Sequence, residues 1–157
     1  MRYRHVAFLT VVATLSMSVC APAAGSPTGN SGAAEEAAVR AVVEGFGKRL
    51  AAVSLLSPKA SQEIRDQYSP FVSSALLDGW TNDPTKAPGR LVSSPWPDRI
   101  EITALSAAGE GKYTVEGMVV EVTSVEMASG GAASETPVVL VVEIMDGRWL
   151  ITQYREG

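Results

Sequence analysis

The sequence predicts an α+β fold, three N-terminal helices packed on a bent four-stranded antiparallel sheet. Three observations predict it. Apolar residues recur at three- and four-residue steps up to Trp80, and alternate with polar ones from Ile100 onward. Between the two halves Pro84, Pro88, Gly89, Pro95 and Pro97 exclude a continuous helix.

The first helix is expected over Glu35–Leu56, where Val39, Val42, Val43, Phe46, Leu50 and Val53 form one stripe. Glu35 and Glu36 would sit in its first turn, where the helix dipole favours acids. Glu44 and Lys48 are spaced for an ion pair. Gly45 and Gly47 go against helix propensity and are read as points of close packing against a neighbour. The pairs Ser57-Pro58 and Ser69-Pro70 each read as a helix start, serine as cap and proline in the first turn. The third helix would carry Phe71, Ala75, Leu76 and Trp80.

Strands follow. "RIEITAL" alternates, and Gly109-Glu110-Gly111 is a turn. "KYTVEGMVVEVTSVEM" reads as one strand whose inward phase slips at Gly117, which implies a bulge there. "ASGGAASE" is expected as a loose hairpin tip. "TPVVLVVEIM" and "RWLITQYR" are joined by Asp146-Gly147, a strong two-residue hairpin signal.

The chain opens with Arg2, Arg4 and His5 before an apolar run over Val6–Val19, then Ala21-Pro22-Ala23. This reads as a secretory signal over residues 1–23, followed by a tether over 24–34 and a single domain over 35–157. "SMSVC" loosely matches a lipobox, so Cys20 is a candidate lipidation site beside plain secretion. Either route puts the domain outside the cytoplasm, and membrane attachment would come only through a lipid on Cys20.

Cys20 and His5 are the only cysteine and histidine, and both belong to the signal. The domain therefore has no disulfide, thiol nucleophile or imidazole, and its ~130 residues must rely on one apolar core. Zinc, which wants those ligands, is not expected, and neither is any other metal or cofactor. The net charge is −4, and losing Arg2 and Arg4 makes it more negative. Without a basic stripe, nucleic-acid binding is not expected.

The crossover "PGRLVSSPWPDRIEI" places Arg90, Trp96 and Arg99 close in sequence. Trp96 between two prolines plugs one end of the core or forms a ligand platform. Two guanidiniums beside an indole could hold a carboxylate or an acidic segment. These three and Trp80 are the candidate binding residues. No catalytic residue is assigned. Catalysis would need a desolvated carboxylate, from Asp66, Asp78 or Asp98, beside Tyr68, Tyr113 or Tyr154. The oxygen-rich Asp78–Asp83 stretch reads as a helix-ending turn rather than a calcium loop.

Three helices, then a bent antiparallel meander ending in "DGRWLI" at Asp146–Ile151, resemble the nuclear transport factor two-like superfamily, the ketosteroid-isomerase-like cone. "SPFVS" and "SSPWPDRIEI" resemble small exported bacterial proteins of that superfamily. The resemblance implies a sheet curled round the longest helix, a cone with one open mouth, and pairing of two copies through the sheet. The functional expectation is a non-catalytic extracytoplasmic domain that docks a protein partner or small apolar ligand at that mouth. The alternative is an isomerase or hydrolase using a buried Asp/Tyr pair.

Overall fold

The computed structural model describes residues 30–157. The signal, Cys20 and most of the tether lie outside the described residues.

Helix α1 spans Asn30–Gly47, α2 Ala60–Tyr68 and α3 Ser74–Asn82, with short 3-10 turns at Leu50–Ala52 and Pro84–Lys86. Strands β1 Trp96–Gly109, β2 Lys112–Val122, β3 Ser134–Met145 and β4 Arg148–Glu156 form one antiparallel sheet in the order β1-β2-β3-β4. This is the expected α+β cone, with one addition. A fourth helix, α4 over Ser124–Ser129, sits in the β2–β3 connection.

The core lies between the helices and one face of the sheet. Val39, Val43, Phe46, Leu50 and Val53 from the predicted stripe are fully buried. They meet Ile64, Tyr68, Val115, Leu140, Val142 and Ile151. The helix starts earlier and stops sooner than the periodicity implied. It begins at Asn30, within the stretch expected as tether, so Glu35 and Glu36 are not in its first turn. It ends at Gly47, and the stripe continues through a turn to Leu50–Ala52. Lys48 lies beyond the helix, and among the described residues it forms no ion pair with Glu44.

Gly45 and Gly47 are packing contacts, as expected. A Cβ on Gly45 would lie 2.6 Å from the Phe71 ring, and one on Gly47 would lie 2.6 Å from the backbone nitrogen of Ile100. Helix α1 therefore comes within backbone distance of β1.

The helix starts are displaced. Lys59, not Ser57, precedes α2, and its side chain makes no cap. Ser57 Oγ instead donates to Glu63 at 2.8 Å. Helix α3 is capped by Ser73, which accepts from Leu76 N, rather than by Ser69. Phe71 precedes that helix. The Phe71–Ser73 segment clips onto β4, with Ile151 N donating to Phe71 O and Ser73 N donating to Ile151 O, both at 2.9 Å.

The bulge is real but on the other strand. Ile102 faces Gly117 and Ala104 faces Glu116, so the extra residue, Thr103, belongs to β1. The β2–β3 ladder runs unbroken from Lys112 to Glu121. Strand β2 thus keeps one inward phase through Tyr113, Val115, Gly117 and Val119, and Val120 and Val122 are buried outside that core cluster. A Cβ on Gly117 would lie 2.6 Å from the Glu101 carbonyl oxygen, which is why glycine stands there.

The predicted strand also ends early. Thr123 and Glu126 form a capping box, and Gly130 closes α4 at φ 80°. The Asp146-Gly147 hairpin is as expected, with φ of 51° and 74° at its two corners.

Gly47→Ala and Gly117→Ala should each lower stability by about 2 kcal/mol, because backbone must move to admit the methyl. Gly79→Ala in α3, where a Cβ would touch nothing within 4 Å, should raise it by about 1 kcal/mol. Urea unfolding monitored by tryptophan fluorescence checks all three. Equal effects at the three sites would refute the close-approach account.

Candidate functional site

The interior of the cone is filled by rings. Phe46 from α1, Tyr68 from α2, Trp80 from α3 and Tyr154 from β4 lie within 4.9 to 6.0 Å of one another in five pairs. Phe46 and Trp80 are stacked, and the remaining pairs meet edge to face. Trp80 is only 4% exposed. It is a core residue, which corrects the expectation that it would face a ligand.

The two hydroxyls of this cluster point to one end of the cone. Tyr68 donates to the Pro88 carbonyl at 2.7 Å. Tyr154 donates to the Glu156 carboxylate. Burial, reinforced by the charge of Glu156, pushes both phenols well above their ordinary range. They therefore stay protonated and act as donors.

Beyond them lies a cavity of about 280 Å³. Its floor is Leu50, Val119 and Pro97, its loop walls include Leu55, Pro88 and Leu91, and its polar side holds Glu121, Thr136 and Glu156. The sheet register explains that polar side. Pro97 pairs with Glu121, Val119 with Thr136, and Val138 with Glu156. Three adjacent strands thus each bring one oxygen-bearing side chain to the same end of the inner face.

The walls are two irregular segments pinned together. Arg90 N donates to Val53 O at 2.8 Å and Leu55 N to Arg90 O at 2.9 Å, a one-residue parallel bridge between Ser54 and Arg90. Gly89 allows it, since a Cβ there would lie 3.0 Å from the Val53 carbonyl oxygen. Glu63 holds the first segment from below, accepting from Ser54 N at 2.9 Å and Ser57 Oγ at 2.8 Å. These two hydrogen bonds keep its carboxyl below the usual carboxylate range, with smaller help from the charges of Arg90 and Lys59. The outer rim is apolar and open. Leu56 is 74% exposed, Leu91 60% and Val92 57%.

The crossover residues do not gather into one clamp. Arg90 lies on the rim, in a shallow groove with Ser54, Leu56, Leu91 and Val92. Trp96 is half-buried, pairs with Val122, and lies outside the core cluster. The neighbouring residue Pro97 is the one buried at that end, so Trp96 is not the core plug. Arg99 is held by its own strand, with Asp98 at 3.0 Å and Glu101 at 2.6 Å. It lines a separate groove with Arg40, Glu44 and Lys48.

The carboxylates nominated for catalysis are also dispersed. Asp66 is exposed and accepts from Gln62, Asp78 is exposed, and Asp98 is paired with Arg99. None of the three hydrogen-bonds to a tyrosine; the tyrosine–carboxylate pairs seen are Tyr154–Glu156 and Tyr113–Glu35. The Asp83 turn is closed by Thr85 at 2.6 Å and Lys86 at 3.1 Å. The cavity residues Leu56, Leu91, Glu121 and Glu156 were not singled out from sequence. The register of β2, β3 and β4 brings Glu121 and Glu156 to one end of the sheet, and the Ser54–Arg90 bridge places the loops that carry Leu56 and Leu91.

No family model matches the chain, and no curated protein matches it. Among solved structures, a chain titled Rd1NTF2_05, carrying five substitutions, is similar at 19% identity, covering 62% of this chain and 82% of its own, with a TM-score of 0.33. That likeness is too slight to place the chain in a family.

Because the folded-state pKa of Glu63 lies below its unfolded value, the stability it contributes is present above about pH 4.3 and is lost as pH falls through the folded value. Glu63→Gln should therefore flatten the acid limb of a stability–pH profile measured by urea midpoints from pH 6 to 3. The effect will be modest, since the carboxylate is largely solvated. An unchanged acid slope would show that Glu63 does not hold the wall.

Proposed function

We propose that the chain is a non-catalytic extracytoplasmic binding domain that docks a small apolar ligand, or an apolar side chain of a protein partner, at the open end of the cone. The observation that carries this is the cavity itself, a recess with aliphatic loop walls, edged by the exposed Leu56 and Leu91, where the aromatic core stops. Isolated exposed leucines are ordinary, but two at the edge of one recess mark a contact site. At about 280 Å³ the recess is at the lower edge of small-ligand pockets, which suits one small molecule or one inserted side chain.

The order of elements supports placing the domain in the nuclear transport factor two-like superfamily, and the signal-like N-terminus supports export, as in the exported bacterial proteins it resembles. Arg90 belongs to this site as a rim residue, and Trp96 flanks it through Pro97. Arg99 is assigned to the separate groove on the sheet edge.

1-Octanol, about nine heavy atoms and so matched at liquid density to a recess of about 280 Å³, should bind saturably by isothermal titration calorimetry. Leu56→Ser and Leu91→Ser, both at exposed positions, should each weaken binding about ten-fold, the equivalent of losing one leucine contact, with melting temperatures unchanged. Absence of saturable binding by wild type, or full binding by both variants, would overturn the proposal.

A further inference from the structure

The sheet has two edges, and only one of them is covered. On β4, Ile151 N donates to Phe71 O and Ser73 N donates to Ile151 O, both at 2.9 Å. On β1, among the described residues, no backbone hydrogen bond arrives from any element but β2. An edge strand turns every second N–H and C=O outward, where water or another chain must satisfy them.

Part of this open edge is the floor of a groove of about 460 Å³. Arg99, Ile100, Glu101 and Ile102 all line it. Consecutive strand residues point to opposite faces, so a groove touched by four in a row runs along the edge rather than over either face. The same four are the regular part of this end of β1, since register shifts fall between Pro97 and Arg99 and between Ile102 and Ala104.

Helix α1 is the other wall. Near its start Glu35 accepts from the Tyr113 hydroxyl at 3.3 Å, and Tyr113 pairs with Ala107 of β1. Its last residue, Gly47, meets Ile100. The helix therefore follows the edge. Arg40 and Glu44 line the groove, and Lys48, whose N donates to Glu44 O at 3.2 Å, continues the row one turn on. The row runs cation, anion, cation. All three are exposed, and none forms an ion pair among the described residues. On the strand side, Arg99 is already neutralised by Asp98 and Glu101. A second copy is a poor occupant. Two-fold pairing centred on this segment would lay the helix rows antiparallel, Arg40 opposite Lys48 and Glu44 opposite Glu44, with like charge against like at every step.

We infer that the groove takes an extended segment of a partner polypeptide, which adds to β1 as a fifth strand. Main-chain bonds to Arg99–Ile102 hold it, and its side chains toward α1 alternate acid, base, acid. Arg40 and Lys48 lie about 12 Å apart along the helix, and strand residues four apart are separated by about 14 Å. Acids at the two ends of such a segment reach Arg40 and Lys48, and a lysine midway reaches Glu44. No residue lines both this groove and the recess, so either site stands without the other.

The test is isothermal titration calorimetry with the end-blocked peptide Thr-Glu-Val-Lys-Val-Glu-Thr, whose symmetric pattern fits either strand direction. It should bind wild type saturably, and the sign-reversed peptide Thr-Lys-Val-Glu-Val-Lys-Thr should bind about ten-fold more weakly. The triple variant Arg40→Glu, Glu44→Lys, Lys48→Glu should invert that order, and its binding of the reversed peptide shows that it is folded. Backbone N-methylation separates strand addition from charge attraction. Methylating either the two valines or the residues between and beside them should weaken binding about thirty-fold, and methylating the other set should change it less than about two-fold, because only alternate N–H groups face β1. Absence of binding by wild type, an order of peptides that the triple variant leaves unchanged, or equal effects of methylation in the two phases would each overturn the assignment.

Discussion

The cluster of Phe46, Tyr68, Trp80 and Tyr154 decides where this molecule can be hollow. Each ring comes from a different element, so the three helices and the last strand cannot shift independently. Aromatic pairs of this geometry contribute about 0.5–1.5 kcal/mol each beyond their buried area. The two phenols add a directional constraint. A buried hydroxyl without a partner costs about 1–3 kcal/mol, so the buried Tyr68 must reach an acceptor, and the half-buried Tyr154 takes one as well. They find them at Pro88 and Glu156, both of which line the cavity. The rings fill the centre of the cone, and the hydrogen bonds that satisfy them fix the boundary of the recess at its end.

A second constraint sets the sheet against the helices. Gly47 of α1 and Gly117 of β2 approach β1 at Ile100 and Glu101. Helix, edge strand and next strand are therefore in near-backbone contact at one point, and the extra residue Thr103 follows directly after it. Beyond the bulge β1 stays paired with β2, but of its residues only Leu105 remains half-buried against the core and the rest are exposed. Before it, β1 presents Ile100 to the core and Pro97 to the cavity floor. The same contact thus positions the floor of the candidate site.

What could be read from the sequence was local or periodic. The α1 stripe, the break after Asn82 and the Asp146-Gly147 turn each depend on residues within a few positions, and the packing role of Gly45 and Gly47 followed from their cost to a helix. The phase of β2 was not readable. Val119 and Val120 are consecutive and both buried, so alternation alone cannot say which faces the helices. A phase that slips at Gly117 turns Glu121 outward, whereas the unbroken β2–β3 ladder turns it to the cavity. The Ser-Pro pairs misled for a similar reason, since Ser57 is used by Glu63 and Ser69 is bypassed in favour of Ser73. The Thr123–Glu126 box was legible as a helix start but stands in a run rich in valine and methionine, which reads as strand. Arg90, Trp96 and Arg99 were grouped because they are close in sequence, yet a proline bend, the strand's alternation and the register shift near Asp98 direct them to different places.

The opening at the end of the cone follows from unequal lengths. Helices α2 and α3, of nine residues each, are about 14 Å long, whereas strands of eleven and twelve residues extend roughly 37–40 Å. Helix α1 is longer, but its C-terminus stops at Ile100, so no helix covers the inner face at the Pro97–Glu121 end. Two loop segments cover it instead. Their backbone groups have no helical partners, and the Ser54–Arg90 bridge, the Glu63 carboxylate and the Tyr68 hydroxyl satisfy several of them. Segments held by such specific bonds cannot slide inward to close-pack on Val119 and Thr136 as a helix face would. The recess is what remains between a sheet too long for its helices and loops tied in place by their own hydrogen bonds. Polar side chains on the sheet are tolerated there because water still reaches them.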